Sequence, residues 1–226
     1  MPLGSRLKEM AKNENKILKF ILWTYNHMPF NNKFRLHKNK LKINVAFLKH
    51  CNFRVYGNNN VIEIGKGCRL TNCNFNISGN NNIIKLPEFV TASNAEFYIE
   101  DDNNKIICGK HINFAGKIHL ACTEGKQIII GDDCLFSSDI VIRTGDSHSV
   151  VDLNGNRINQ AKDVKIDNHV WVGHRVLINK GVEIADNSIV GTGAVVTRAF
   201  DCASVCIAGN PAKIVKENVS WVNERI

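Results

Sequence analysis

No apolar stretch in this 226-residue chain approaches the roughly 20 residues that a bilayer-spanning helix needs. The longest near the start, Ile17-Leu18-Lys19-Phe20-Ile21-Leu22-Trp23, is interrupted by a lysine and lacks the small-residue cleavage site of a secretory signal. It reads as a short amphipathic helix that docks on the body of the protein or on a partner, with attachment to a membrane surface as the alternative. Cysteine pairing signals are also missing. None of the eight cysteines, Cys51, Cys68, Cys73, Cys108, Cys122, Cys134, Cys202 and Cys206, forms a Cys-x-x-Cys pair. Their spacing suits neither a zinc ribbon nor a small disulfide scaffold, so they read as reduced core thiols of a cytoplasmic protein. Aromatic-plus-basic motifs of nucleic-acid modules are lacking too, and no nucleic-acid partner is expected. The net charge of +8 then points to an anionic ligand such as a phosphorylated cofactor or an acidic glycan. The opening Pro2-Leu3-Gly4-Ser5 looks like a vector-derived leader and is given no function.

What the chain does have is repetition. The segment Phe53–Gly65 recurs 22 residues later as Phe75–Pro87 and again as Phe97–Gly109, with a weaker copy from Ile118 to Gly131. Each copy reads as an alternating strand, a turn rich in Gly, Asn and Asp, and another strand, the turn residues being those that tolerate positive φ. Further on the period shortens to six. Ile166, Val172, Ile178, Ile184, Val190 and Val196 are each six apart, and two places before them stand Val164, Val170, Val176, Val182, Ser188 and Ala194. Ile130, Phe136 and Ile142 keep the same count. A helix requires apolar spacings of three and four, so spacings of two and six mean short strands with a corner every six residues. Alternation turns the apolar pair inward, and stacked coils bury a continuous column. The fold class expected is all-β, a parallel β-helix solenoid. Residues 1–50 form a helical or irregular segment, 51–208 the β-helix with an excursion loop at 146–162, and 209–226 a C-terminal tail.

The segments Lys162–Gly173, Ile189–Thr197 and Ile207–Val215, together with the run Asp146-Ser147-His148, resemble the hexapeptide-repeat acyltransferases, and within them the bacterial polysialic acid and capsule sugar O-acetyltransferases. The resemblance covers about residues 118–221. It implies a left-handed β-helix, a homotrimer with the site between subunits, acetyl-coenzyme A as donor, no metal, and a sugar or polysaccharide hydroxyl as acceptor.

By the same resemblance His148 is the general base. A free imidazole titrates near pH ~6.5 and so can accept the hydroxyl proton during attack on a thioester. Asp146 is a candidate to orient the ring. Many relatives carry a proline just after the histidine, where this chain has Ser149. Trp171 stands one place before an inward valine and so points outward, as an interface residue or a wall of the donor pocket. Gly173 is a corner allowing close backbone approach, and a backbone N–H near it is a candidate oxyanion donor. Thr192, Thr197 and Arg198 match donor-groove positions, and Lys213 and Lys216 match basic positions near the coenzyme phosphates. Arg143 and Arg157 are candidates to meet an acidic sugar, the latter from a loop that in relatives overhangs the neighbouring subunit. His169 and His174 are five apart, but His148 is out of register as a third metal ligand, and His111 and His119 read as wall or acceptor-facing residues. N-acetylation of an amino sugar nucleotide, acetylation of a drug and a non-catalytic scaffold remain the alternative functions.

Overall fold

The computed structural model describes residues 16–226, so residues 2–5 lie outside the described residues. Three parallel sheets of eight, seven and nine strands form the three walls of a β-solenoid of about seven turns. The chain visits the walls in rotation, so up to the C-terminal hairpin strands adjacent in a sheet are three apart in sequence. The inward residues expected from the six-residue count are all buried, from Ile166 and Val172 through Val196 and from Val164 through Ala194.

The two periods are two coil sizes. In the N-terminal coils a residue pairs with the one 22 positions on, as Phe53 with Phe75, whereas in the C-terminal coils the step is 18, as Ile166 with Ile184. Each 22-residue repeat holds three strands, not the two that the sequence suggested. The third is short, for example Arg69–Thr71 or Thr91–Ser93, and carries no recurring motif. The extra length sits in longer first-wall strands and in the corner after them. That corner is stitched by asparagine. The Asn60 Oδ1 accepts from the Asn82 backbone N–H at 2.8 Å, and the Asn82 Oδ1 accepts from that of Asn104 at 2.7 Å. These buried side chains satisfy backbone groups that a corner leaves without strand partners. Inside, Phe53, Phe75 and Phe97 stack in a column with ring centroids 4.6 and 4.7 Å apart.

The solenoid starts earlier than the boundary at residue 50 read from the repeats. Lys33–Arg35, Lys40–Ile43 and Phe47–Lys49 already open the three walls. This coil lacks the Asn triplet, but Asn39 takes the ladder position and accepts from the Asn60 N–H at 2.9 Å. The expected helix is present at Lys16–Asn26. It docks on the body through buried Leu18 and through Asn26, which donates to the Ala46 carbonyl and accepts from the Leu48 N–H. At the other end the tail is ordered into a hairpin, Ala212–Glu217 pairing antiparallel with Val205–Gly209.

Candidate active site

The regular wall pattern breaks between the strands Ile140–Arg143 and Val164–Ile166, which belong to the first and second sheets. Gly145 begins the excursion. A Cβ there would lie 2.5 Å from the Thr123 side chain, so only glycine lets the chain leave the coil at this point. The excursion folds back on itself. Val151 bridges to Arg157 in antiparallel fashion, and the Asp152 carboxylate accepts from the Asn154 and Asn156 N–H groups to close the turn. Its apolar residues Val150, Val151, Leu153 and Ile158 are exposed.

His148 lies at the base of this hairpin, in a cleft of about 250 Å³ that also holds Arg143, Asp146, Ser147 and Arg157. The wall below is formed by Tyr98, Glu100, Asp101, Thr123 and Glu124 of the preceding coils. Asn159 is the tie between loop and body. Its Nδ2 donates to the Asp146 carboxylate and to the His148 carbonyl, both at 2.8 Å, and its Oδ1 accepts from the Val150 N–H at 2.7 Å. From the next coil Lys180 donates to the Asp146 carboxylate and to the Asn159 carbonyl. The Lys180 ammonium, with Asn159 and Arg143, holds the Asp146 carboxyl below the usual carboxylate range.

The Asp146 carboxylate, the candidate to orient the ring, makes no hydrogen bond to the imidazole here; both of its side-chain bonds, from Lys180 and Asn159, fall on Oδ2. The imidazole itself has no hydrogen-bond partner among the described residues.

The two arginines part company. Arg157 is ion-paired to Glu124, which also accepts from the Ala161 N–H, and that pairing lowers the Glu124 carboxyl and raises the guanidinium. Arg143 pairs with no carboxylate among the described residues. Its one side-chain bond goes to the Ser147 hydroxyl at 3.1 Å, and its Nε is buried without a partner.

Comparison with known proteins places this geometry. The bacterial transferase hexapeptide (six repeats) family matches residues 163–198. A polysialic acid O-acetyltransferase of Neisseria meningitidis is 38% identical over 168 residues, 74% of this chain and 77% of that protein. This chain belongs to the hexapeptide-repeat acetyltransferases. A polysialic acid O-acetyltransferase of Escherichia coli O1:K1 / APEC is 40% identical over 101 residues, 44% of this chain, and the match spans about a third, 32%, of that longer protein. Among solved structures, the polysialic acid O-acetyltransferase OatWY superposes with a TM-score of 0.79 at 33% identity, over 88% of this chain and 93% of that one. The solenoid is thus the left-handed β-helix of these acetyltransferases.

In this acetyltransferase the remaining candidate residues fall outside the His148 cleft. Trp171, expected as an interface residue or a wall of the donor pocket, stands on the third sheet and does not line the His148 cleft. It is 39% exposed and tilts against Trp221, which stacks on the His169 ring at 4.4 Å and donates to the His169 carbonyl. The reason is the rotation of the walls: strands Ile140–Arg143 and Trp171–Val172 belong to different faces of the prism. Gly173 and Thr192 follow third-sheet strands and share one corner. A Cβ on Gly173 would lie 2.8 Å from the Thr192 nitrogen, so the close approach expected there is real. Exposed Thr197 and Arg198 follow the first-sheet strand Val195–Val196, at the same corner as the excursion, and the Arg198 guanidinium lies 5.1 Å over the Phe200 ring. Lys213 and Lys216 are exposed on the C-terminal hairpin. His111 and His119 are engaged by Asp133 and Glu96, His169 by Asn187 and His174 by Ser138. Among the described residues no group of three or more His, Cys, Asp and Glu could hold a metal ion.

Lys180, Asn159 and Glu124 were not found from sequence. No motif marks them, and Lys180 is 34 residues from Asp146. The signal available was positional: Asn179-Lys180 occupies the corner that Arg143-Thr144 holds one coil earlier.

Proposed function

We propose that this acetyltransferase moves the acetyl group of acetyl-coenzyme A to a hydroxyl of an acidic glycan, of the polysialic acid type named for its relatives. His148 takes the hydroxyl proton as the oxygen attacks the thioester carbonyl. The tetrahedral intermediate then collapses, the C–S bond breaks, and the imidazolium returns the proton to the coenzyme thiolate. Transfer is direct, within a ternary complex. No cysteine lines the His148 cleft as a nucleophile except Cys122, which is buried with its thiol pushed up to about 11 by loss of hydration, far from a reactive thiolate.

The observation that carries this reading is the pairing of an uncommitted imidazole with an uncommitted guanidinium in one cleft. The other cations beside it are matched in place, Arg157 with Glu124 and Lys180 with Asp146. Arg143 alone of these cations has no carboxylate partner among the described residues, which suits its guanidinium to a carboxylate on the acceptor.

One subunit does not hold all the donor candidates beside His148, since Trp171 belongs to another wall. The proposed working unit is therefore a homotrimer. In it the excursion hairpin, with its exposed Val151, Leu153 and Ile158, covers a neighbour, and Trp171, Gly173, Thr192, Thr197, Arg198, Lys213 and Lys216 line the donor groove. The experiment is an acceptor panel assayed for acetyl-coenzyme A consumption: an α-linked polysialic acid, a neutral oligosaccharide, an amino sugar nucleotide and an aromatic drug alcohol. The expected result is turnover on the acidic polymer above all others. Turnover on the amino sugar nucleotide alone would transfer the reading to N-acetylation.

A further inference from the structure

The charge of the chain is not spread over it. Residues 16–50 contain eight Lys and Arg and no Asp or Glu, while the molecule as a whole is +8. Lys16 and Lys19 lie on the helix, Lys33, Arg35, Lys38, Lys40, Lys42 and Lys49 on the first coil, and all eight are exposed. Only Lys42 has an ion-pair partner among the described residues, Glu63. The cations crowd one end of the solenoid, where Lys33–Arg35, Lys40–Ile43 and Phe47–Lys49 are the terminal strands of the three sheets.

The same end carries exposed apolar side chains. The helix buries one stripe, Leu18 with half-buried Leu22, against Val45. The outer stripe is apolar as well: Phe20 is 68% exposed, Ile21 55% and Trp23 59%, and beyond the helix Met28 is 48% and Phe30 94% exposed. A surface helix normally turns its polar face outward, and a helix that is apolar all round requires a second cover. Aromatics at this level of exposure, set among lysines, form an interaction surface rather than scattered surface apolar residues.

We propose that this end of the solenoid docks on an anionic lipid bilayer, Phe20, Ile21, Trp23 and Phe30 entering the headgroup boundary and the cations meeting the lipid phosphates. Two other covers fit the physics less well. A second copy docked face to face would bring two clusters of eight like charges together. A soluble acidic polysaccharide would match the charge but is too hydrated to cover Phe20, Trp23 and Phe30. A bilayer with anionic headgroups satisfies both, since basic amphipathic surfaces with Trp and Phe bind there by area and charge combined. No helix among the described residues is long and apolar enough to cross a membrane, so the attachment is peripheral. The strand leading to His148 is the sixth of eight in the first sheet. At about 4.8 Å per strand it stands about 24 Å from the docked end, which keeps the cleft clear of the lipid. This inference does not depend on the acceptor or on His148.

The test is flotation of the full chain with vesicles of phosphatidylcholine alone or mixed with phosphatidylglycerol, over a salt series. Binding is expected only to the anionic vesicles, weakening with salt, with a blue shift of tryptophan emission. The Phe20→Ser/Trp23→Ser variant is expected to lose at least about tenfold in binding, and Lys33→Glu/Arg35→Glu more than about tenfold, at about fivefold per cation before counting the reversed charge. Acetyl transfer in solution should be unchanged in both. Should the first variant fail to fold, Phe30→Ser, outside helix and strand, gives the same readout. No flotation with either vesicle overturns the proposal. So does self-association abolished by Phe20→Ser/Trp23→Ser, which would assign the face to a second copy. Capture by a soluble acidic polysaccharide that responds only to the charge variant, without lipid binding, overturns it as well.

Discussion

At the scale of single residues, the cleft separates groups that hold the loop from groups left for chemistry. Arg143 belongs with the second. Arg143→Gln is expected to raise KM for an acidic acceptor about tenfold with little change in kcat, because it removes binding shared by ground and transition states. Steady-state kinetics on acidic and neutral acceptors checks this, since a neutral acceptor should not respond. Lys180, Asp146 and Asn159 belong with the first. Asp146 and Glu124 both have carboxyls lowered in the fold, by Lys180 and Arg157 respectively. Their stabilisation of the loop is fully present above the ordinary carboxylate range and is lost as pH falls through the depressed folded values. The loop should therefore resist proteolysis at neutral pH and become cleavable only in acid, whereas Asp146→Asn should be cleavable at every pH. A time course of cleavage within residues 146–162 at several pH values reads this directly. The excursion that carries His148 was legible because it interrupts a six-residue count, whereas the role of His148 as base came from the resemblance. Lys180 and Asn159 were not legible, because their role comes from the stacking of coils and no local pattern encodes it.

Among the elements, the Asn corner is the part of the fold in which sequence and structure agree most closely. The turn residues were visible, and the buried ladder explains why asparagine recurs at Asn60, Asn82 and Asn104. Asn82→Ala would strand the buried Asn104 N–H and remove the donor to the Asp101 carbonyl. About 1–3 kcal/mol of stability should be lost, the cost of the buried Asn104 N–H left unsatisfied. Thermal or denaturant unfolding measures it, with Asn58→Ala, exposed in the preceding turn, as a near-neutral control. The third strand of each repeat and the whole first coil escaped sequence reading for one reason. A strand of two or three residues has too few positions to display alternation, and the first coil uses Lys-Leu-Lys-Ile and Asn39 where later coils use the triplet.

On the scale of the whole molecule, a solenoid wall places only every third strand on one face, so one chain cannot gather Trp171 and His148 into a single cleft. The prediction that belongs here concerns assembly. Leu153→Asp, at the fully exposed hairpin tip, should weaken the proposed trimer and lower activity while leaving the monomer folded, as read by light scattering and circular dichroism on one sample. The family was legible because the six-residue periodicity of the C-terminal coils carries the resemblance, and the left-handed coil came with that resemblance and not from the spacing. The division of labour between faces was not legible, because it depends on which wall each strand reaches. The central claim is that His148 is the base for acetyl transfer. The most direct measurement is turnover of acetyl-coenzyme A with polysialic acid by His148→Ala, alongside donor affinity by calorimetry. A fall in kcat of about 10²–10⁴-fold with unchanged donor affinity is predicted; turnover retained at the level of the unmodified protein would contradict it.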